Sequence, residues 1–444
     1  MDTNFEKKNT VETGEIMVDQ EIQTRSIDLS STRELIPDYA DEFNPDGLFI
    51  ALPEDKKNYR SVKGKIPFAS FLILLVEFAE RGSYYGVQGI LTNFIMRPLP
   101  DGSSTGSTHT ENQSAGALDQ GLQIANAFVM LLQFLAYVTP LAGGYLADAK
   151  LGKFKAIMIG VWIGLISHIL FVIAGLPPVI KHGNSALAPT ALGIISLAIG
   201  TGFIKPNLLP LLLDQYPYRA NVLKKLPTGE TVYVDRDASM ENVTMIFYWA
   251  INIGAFMQLA TSYAARNIGY WLAFLAPGLM YLMVCLVMLY VGRFVSHPPP
   301  TGSLLGKVCK VLYTCFQGNF IKRLSKGQFW SFAYPTEMES RGQLYFRTKT
   351  RSPITWTSQD VKDYMSTFSQ CVMFLYWVVF NLNDTGLSTA LNAQAGAMVT
   401  KNVPNDLFNN FNQITIIVLI PILDFLCYLT MENLQNITMW ILCH

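Results

Sequence analysis

An all-α membrane protein that crosses the bilayer several times is the fold class this sequence predicts. Three observations carry that expectation. Half of the residues are hydrophobic and only 15% are charged. The apolar residues gather in runs long enough to cross a bilayer, at roughly 20 residues per helical span. Lysines and arginines crowd alternate ends of those runs, the pattern of cytoplasmic loops. A formal net charge of +0 gives no reason to expect a nucleic-acid partner; the lipid bilayer is the expected surrounding. The six cysteines (Cys285, Cys309, Cys315, Cys371, Cys427 and Cys443) have no CxxC or zinc spacing. Free buried thiols are expected rather than a disulfide framework.

Residues 1–60 are polar and acidic and lack the basic start and apolar core of a signal peptide. They read as a disordered tail. Lys56, Lys57, Arg60, Lys63 and Lys65 then flank the first apolar run and place the N-terminus inside. That run, Ile66 to Met96, contains Glu77-Phe78-Ala79-Glu80-Arg81-Gly82-Ser83-Tyr84-Tyr85-Gly86. Three unpaired charges at a helix centre would cost about 8–10 kcal/mol on the insertion scale. Glu77 and Arg81, at i and i+4, share a face and offset part of this. Glu80 lies on the adjoining face, so a second carboxylate is left over. Intramembrane ionisable groups usually face a pathway or a proton relay.

An outside loop, Arg97 to Leu118, carries the sequon Asn112-Gln113-Ser114. Span 2, Asp119 to Leu146, runs into Gly143-Gly144-Tyr145-Leu146-Ala147-Asp148 and then Lys150, Lys153 and Lys155. The paired glycines let helices approach closely. This turn resembles the loop between the second and third helices of the major facilitator superfamily, where it acts as a conformational latch. A tight basic turn with no moving role is the alternative. Span 3 covers Phe154 to Leu176 and span 4 Leu187 to Leu213. In span 4, Lys205 is a lone cation followed by Pro206, which frees a backbone carbonyl one turn back. A cation beside a backbone break suits an anion or carboxylate; snorkelling is the competing reading. Asp214 to Glu241 reads as a polar inside loop.

Span 5, Asn242 to Ala265, contains Asn252, a buried amide that needs a partner. Helix–helix bonding and contact with a peptide backbone both satisfy that need. Span 6 covers Tyr270 to Val295, and His297-Pro298-Pro299-Pro300 breaks it. A basic central loop follows, in which Val311 to Phe320 suits an interfacial helix. Span 7, Thr367 to Leu391, holds Asn381, Asn383 and Asp384; span 8, Phe408 to Leu429, holds Pro421 and Asp424. No further span fits before His444.

Four separated motifs together resemble the proton-dependent oligopeptide transporters (the POT or PTR2 family), of the fungal kind. They are Glu77-x-x-Glu80-Arg81 with Tyr84-Tyr85-Gly86, and Gly143-Gly144 with Ala147-Asp148. The others are Gly200-x-Gly202 through Lys205-Pro206 to Asp214-Gln215, and Phe247-Tyr248 with Asn252-x-Gly254. The stretch Gln394-Ala395-Gly396 to Pro404-Asn405-Asp406 looks fungal. The resemblance implies a major facilitator fold with a central site and alternating access. It implies proton coupling by Glu77, Glu80 and Arg81, and a peptide pocket lined by Tyr84, Tyr85, Tyr137, Lys205 and Asn252. It implies a latch at Gly143, Gly144 and Asp148. The implied partners are protons and a di- or tripeptide, at the plasma membrane, with no cofactor and no metal. Gln88 stands where many bacterial members carry a second arginine, and span 7 lacks their glutamate.

About eight of the family's usual twelve helices are expected here, with a C-terminal truncation. The expected division is a tail 1–65, a six-helix bundle 66–296, a central loop 297–365, an incomplete second bundle 366–430 and an aberrant tail 431–444. Proton-coupled peptide symport is the leading function. A transport-dead remnant or regulatory membrane protein, or a carrier of another anion such as nitrate, are the competing ones. An enzyme is not expected: no nucleophile elbow or phosphate loop is present, and His109, His168, His182, His297 and His444 have no ligand spacing.

Overall fold

A computed structural model describes residues 34–422 apart from 40–43, 46, 109, 111–112, 301, 303, 343–344, 347–351, 385–387, 399–402, 410, 412–413 and 420–421. Residues 1–33, the sequon Asn112, His109, Pro421, Asp424, the end of the eighth expected span and the tail 431–444 lie outside the described residues. So do the side chains of Asn383 and Asp384. The chain folds as two units. One comprises the residues up to Ile66 with Tyr216–Val243; the other comprises Pro67–Gln215 with the residues from Thr244 onward.

The first unit is a five-stranded sheet. Its strands are β1 (Leu35–Ile36), β2 (Leu48–Ile50), β3 (Ser61–Lys63), β4 (Val222–Lys225) and β5 (Thr231–Asp235), in the order β1-β2-β4-β5-β3. β4 and β5 are rich in β-branched and aromatic residues, which suit a pleated surface. They form a hairpin in the register Val222↔Val234 and Lys225↔Thr231. Gly229, at φ +83°, turns it in the left-handed region that glycine adopts without a Cβ penalty. Alternate residues point to opposite faces, so Leu48, Val222, Val232 and Val234 pack on one side and Ala51, Leu223 and Tyr233 on the other. β3 runs parallel to β5, Ser61 opposite Tyr233. Lys56 bonds Asp235 at 2.8 Å and Arg60 pairs with Glu230 at 2.9 Å. The Lys56 ammonium holds the Asp235 carboxyl below the usual carboxylate range.

Over the described residues from 34 to 65 this sheet stands where a disordered tail is expected, and it adds a hairpin to the polar inside loop read over Asp214 to Glu241. Strands of two or three residues carry almost no local signal. β2 and β3 find β4 and β5 some 170 positions away, beyond the reach of a local reading of composition.

The second unit is helical. Its spanning elements are α1 (Phe68–Met96), α2 (Gly121–Leu146), α3 (Lys153–Ala174), α4 (Gly183–Leu213), α5 (Arg236–Ala255, of which the residues from Thr244 on belong to this unit) with α6 (Met257–Asn267), and α7 (Tyr270–Val291). These are the six spans the sequence predicts, with α5 starting earlier than Asn242. Among the described residues six helical stretches are long and apolar enough to cross a membrane: five from α2 to α7, and Ser358–Leu382. α1, at 29 residues, has the length as well, with its charges in the middle. Pro67 precedes α1 and Pro98 follows it, each unable to continue a helix ladder. Phe94, Phe171, Tyr270 and Phe274 form an aromatic core joining α1, α3 and α7, with Phe94 4.7 Å from Tyr270 and 5.0 Å from Phe274. Ile166, Leu282 and Leu286 remain exposed on the outer faces, as expected where the solvent is lipid.

Ala147–Leu151 continues α2 as a π-helical turn, a form often found at functional positions. The central region is more ordered than a loop. α8 (Leu304–Phe316) buries Val311 and Cys315 against Ala333, Met338, Trp356, Val361 and Tyr364. Its other face leaves Leu304, Tyr313 and Phe316 exposed, consistent with an interfacial helix. The seventh span is not one uninterrupted helix from Thr367. It is α9 (Ser358–Gln370), a tight turn at Cys371–Met373, α10 (Phe374–Asp384) and α11 (Ser388–Ala395). Of the eighth span, residues 414–419 are helical. Cys285, Cys309, Cys315 and Cys371 are free thiols.

Candidate substrate and proton-coupling site

The charged stretch of α1 lies inside the helical unit. Glu77, Glu80 and Arg81 are at most 5% exposed. Arg81 donates Nε and Nη2 to the two oxygens of Glu80, at 2.5 and 2.7 Å. Glu77 sits further off, its Oε1 3.7 Å from Nε. The expected pairing is therefore reversed. Glu80 is the principal partner of Arg81, and Glu77 is the carboxylate left over. The reason is geometric: a buried guanidinium gains most from a bidentate carboxylate, and the long arginine side chain reaches across to its neighbour in sequence. Thr201 of α4 donates to Glu80 Oε1 at 3.2 Å. The Tyr84 ring lies 4.9 Å from the guanidinium carbon, a cation–π contact, and Tyr85 meets Tyr84 edge-on at 5.5 Å.

Lys205 stands four residues after Thr201 and so on the same face of α4, one turn along. It is exposed, and among the described residues it has no carboxylate at ion-pair distance. Its ammonium lies 5.1 Å from the centre of the Tyr137 ring, and Tyr137 is 73% exposed. An open cation on an aromatic wall, one turn from the threonine that bonds a buried double-carboxylate cluster, can take an anionic end group. The aromatic surfaces can take uncharged groups beside it.

Asn252 is buried, and its amide donates to the Tyr248 carbonyl of its own helix at 2.8 Å. The structure thus gives it a local bond rather than a place in the charged cluster. Its motif partner Gly254 does the positioning: a Cβ there would lie 2.5 Å from the Phe78 carbonyl oxygen, so α5 passes close to α1 beside the charges. Gly143 does the same for α2, where an added Cβ would overlap the carbonyl oxygen of Gly202. Gly143→Val is expected to force α2 and α4 apart and cost about 1–3 kcal/mol, the usual penalty of overpacking. Thermal unfolding of the purified protein reads this out. Gly144→Ala is the control and leaves the midpoint unchanged, because its Cβ would meet only Pro206, at 3.6 Å. Asp148 is half-buried in the π-helical turn, and its carbonyl accepts from the Gly302 N–H.

Reading the sequence missed Thr201, the Lys153–Asp214 ion pair at 2.5 Å between the start of α3 and the end of α4, and the Ser296 N–H bond to Gln215 Oε1 at 2.8 Å. Thr201 was findable. A hydroxyl between two glycines in a span sits where helices meet.

The POT family (PTR2) matches residues 154–441. The chain is 46% identical over 405 residues to the peptide transporter PTR2 of Candida albicans, covering 90% of this chain and 65% of that protein. It is 37% identical over 377 residues to the MFS-type transporter ucsM of Acremonium sp, covering 84% and 62%. It is 30% identical over 376 residues to the peptide transporter PTR2 of Saccharomyces cerevisiae, covering 84% and 57%. The chain thus spans less than two thirds of the length of these relatives. Its fold matches the crystal structure of the POT family transporter PepTSo with a TM-score of 0.58 at 20% identity, over 84% of this chain and 71% of that one. It also matches an auto-inhibited POT family peptide transporter with a TM-score of 0.54 at 19% identity, over 83% and 70%. With its helices in the major facilitator arrangement and its motifs in place, the chain belongs to the POT family.

Proposed function

We propose that the chain carries di- and tripeptides across the plasma membrane together with protons, by alternating access, with its N-terminus in the cytoplasm. The observation that carries this reading is the sealed Glu77–Glu80–Arg81 cluster bonded by Thr201, with the open cation Lys205 one helical turn from that threonine. A peptide zwitterion presents one carboxylate, one ammonium and a polar backbone. Lys205 takes the carboxylate, Tyr84, Tyr85 and Tyr137 wall the variable side chains, and Asn252 turns its amide to the peptide backbone when occupied. Glu77 has the weaker hold on Arg81, so it is the first to accept a proton. Neutralising it leaves Arg81 to Glu80 alone and lowers the cost of closing the cluster around a bound peptide. Gly143, Gly144 and Asp148 act as the latch at the α2–α3 turn, with Lys153–Asp214 bracing it.

The experiment is uptake of a radiolabelled dipeptide by the full chain in proteoliposomes, with an inward proton gradient. Accumulation that collapses when the gradient is removed, and that Glu80→Gln abolishes, supports the reading. No uptake above the Glu80→Gln control from correctly inserted protein refutes it. Competition by nitrate in place of peptides would reassign the cargo.

A further inference from the structure

The end of α1 meets the segment following α11 through a second sealed polar cluster, far along α1 from the charged triad. Asn93, Gln258, Asn392, Asn405 and Asp406 are each at most 4% exposed. The Asn93 amide donates to Asn405 Oδ1 at 2.7 Å and to Asp406 Oδ2 at 3.0 Å. Asn405 Nδ2 donates to Asn93 Oδ1 at 3.1 Å and to the Asn392 carbonyl at 3.0 Å. Gln258 Nε2 donates to the Asp406 carbonyl at 3.2 Å. Arg97, one turn beyond Asn93, gives its Nε to Asn93 Oδ1 at 3.2 Å rather than to the carboxylate. Three buried polar atoms here have no partner among the described residues: Asp406 Oδ1, Asn392 Oδ1 and the Tyr270 hydroxyl.

The groups facing Asp406 can be named element by element. α1 presents Arg97 and the neutral Asn93, α6 the neutral Gln258 and α7 Tyr270, while the neutral Asn392 of α11 bonds the adjoining Asn405 through its carbonyl. An ionised carboxylate sealed in this place has one oxygen on a neutral amide and the other without a partner among the described residues, which is costly. A proton on Oδ1 removes the charge and turns an orphan acceptor into a donor.

We propose that Asp406 is a second proton-binding site, and that the proton it takes up while its cleft is open to water lets the end of α1 close on the Asn405–Asn409 turn; this rests on the alternating-access reading above. Burial pushes the Asp406 carboxyl up from 3.8 to about 7, and opening to water returns it to its ordinary value. The closed contact therefore binds the proton more tightly than the open one. Closure is fully favoured below the ordinary carboxylate value and weakens about tenfold per pH unit as pH rises to roughly 7. Above that it levels off, a total bias on the order of 10³. A proton from the medium thus becomes a condition for sealing this end of the bundle.

The test is a distance measurement on the full chain in lipid nanodiscs without peptide, from about pH 4 to 9. Spin labels are carried on non-natural side chains at Asp101 and Met398, both exposed. A short distance at acid pH that gives way to a longer one as pH rises is expected. Asp406→Asn, permanently neutral, keeps the short distance at every pH. Arg97→Met removes the cation that favours ionised Asp406 in the closed contact, so the short distance at acid pH is kept and the lengthening at high pH becomes more complete. A merely structural role for Arg97 would instead loosen the contact at all pH values. The proposal is overturned if the unmodified chain shows one distance throughout, or if Asp406→Asn titrates as the unmodified chain does. Uptake without this titration would overturn the second site and leave the transport reading standing. The titration without uptake would do the reverse.

Discussion

Replacing Arg81 with methionine is expected to abolish proton-driven uptake and to destabilise the bundle by about 3–5 kcal/mol, the usual consequence of removing one partner from a buried ionic cluster. Arg81 holds both oxygens of Glu80 and is the nearest cation to Glu77. Without it, two carboxylates at most 4% exposed are left with Thr201 and little else. Thermal unfolding in detergent and uptake in proteoliposomes measure the two effects. A triple replacement separates them. Glu77→Leu, Glu80→Leu and Arg81→Met together remove every charge, so stability returns to near the starting value, because a buried ion cluster exchanged for apolar groups is often neutral or better. Uptake does not return. If the triple variant transports against a gradient, the cluster has no part in coupling.

Lys205→Met is expected to raise the KM for a dipeptide at least ~30-fold, as when one partner of a desolvated charge pair costs 2 kcal/mol or more. Stability should stay within about 0.5 kcal/mol, the range for surface changes away from structural features. The asymmetry with Arg81 follows from surroundings. Lys205 is exposed and rests on the Tyr137 ring at 5.1 Å, with no carboxylate at ion-pair distance among the described residues, so its removal breaks no buried ion pair. A peptide amide lacking the free carboxylate provides the check. It should bind the unmodified chain weakly and be indifferent to Lys205→Met. Equal loss for the free acid and the amide would remove Lys205 from carboxylate recognition.

The spans were legible because the bilayer imposes a length and an apolar character that no local detail can disguise. The six helical stretches from Phe68 to Val291 lie where the hydropathy places them, within a few residues. The sheet was not legible. Leu48–Ile50 and Ser61–Lys63 become strands because the Val222–Asp235 hairpin supplies partners some 170 positions away, and Leu35–Ile36 then pairs with Leu48–Ile50.

The site divides in the same way. Charges where lipid forbids them drew attention to Glu77, Glu80, Arg81 and Lys205 from the sequence, since each needs a reason to be there. Spacing then suggested Glu77 as the partner of Arg81, because i and i+4 share a helix face. Tertiary structure decided for Glu80, since Thr201 on α4 and the Tyr84 ring enclose the guanidinium and Glu80 from another side. Asn252 shows the converse: its motif is visible in the sequence, yet its amide is satisfied inside its own helix. What the sequence by itself determined is the place of the apolar helical stretches from Phe68 to Val291 and the presence of charges inside them, both dictated by the solvent. Which charge holds which, and that Asn93 and Asp406 meet across more than 300 residues, only the tertiary structure decided, because pairing depends on which helix faces the packing brings together.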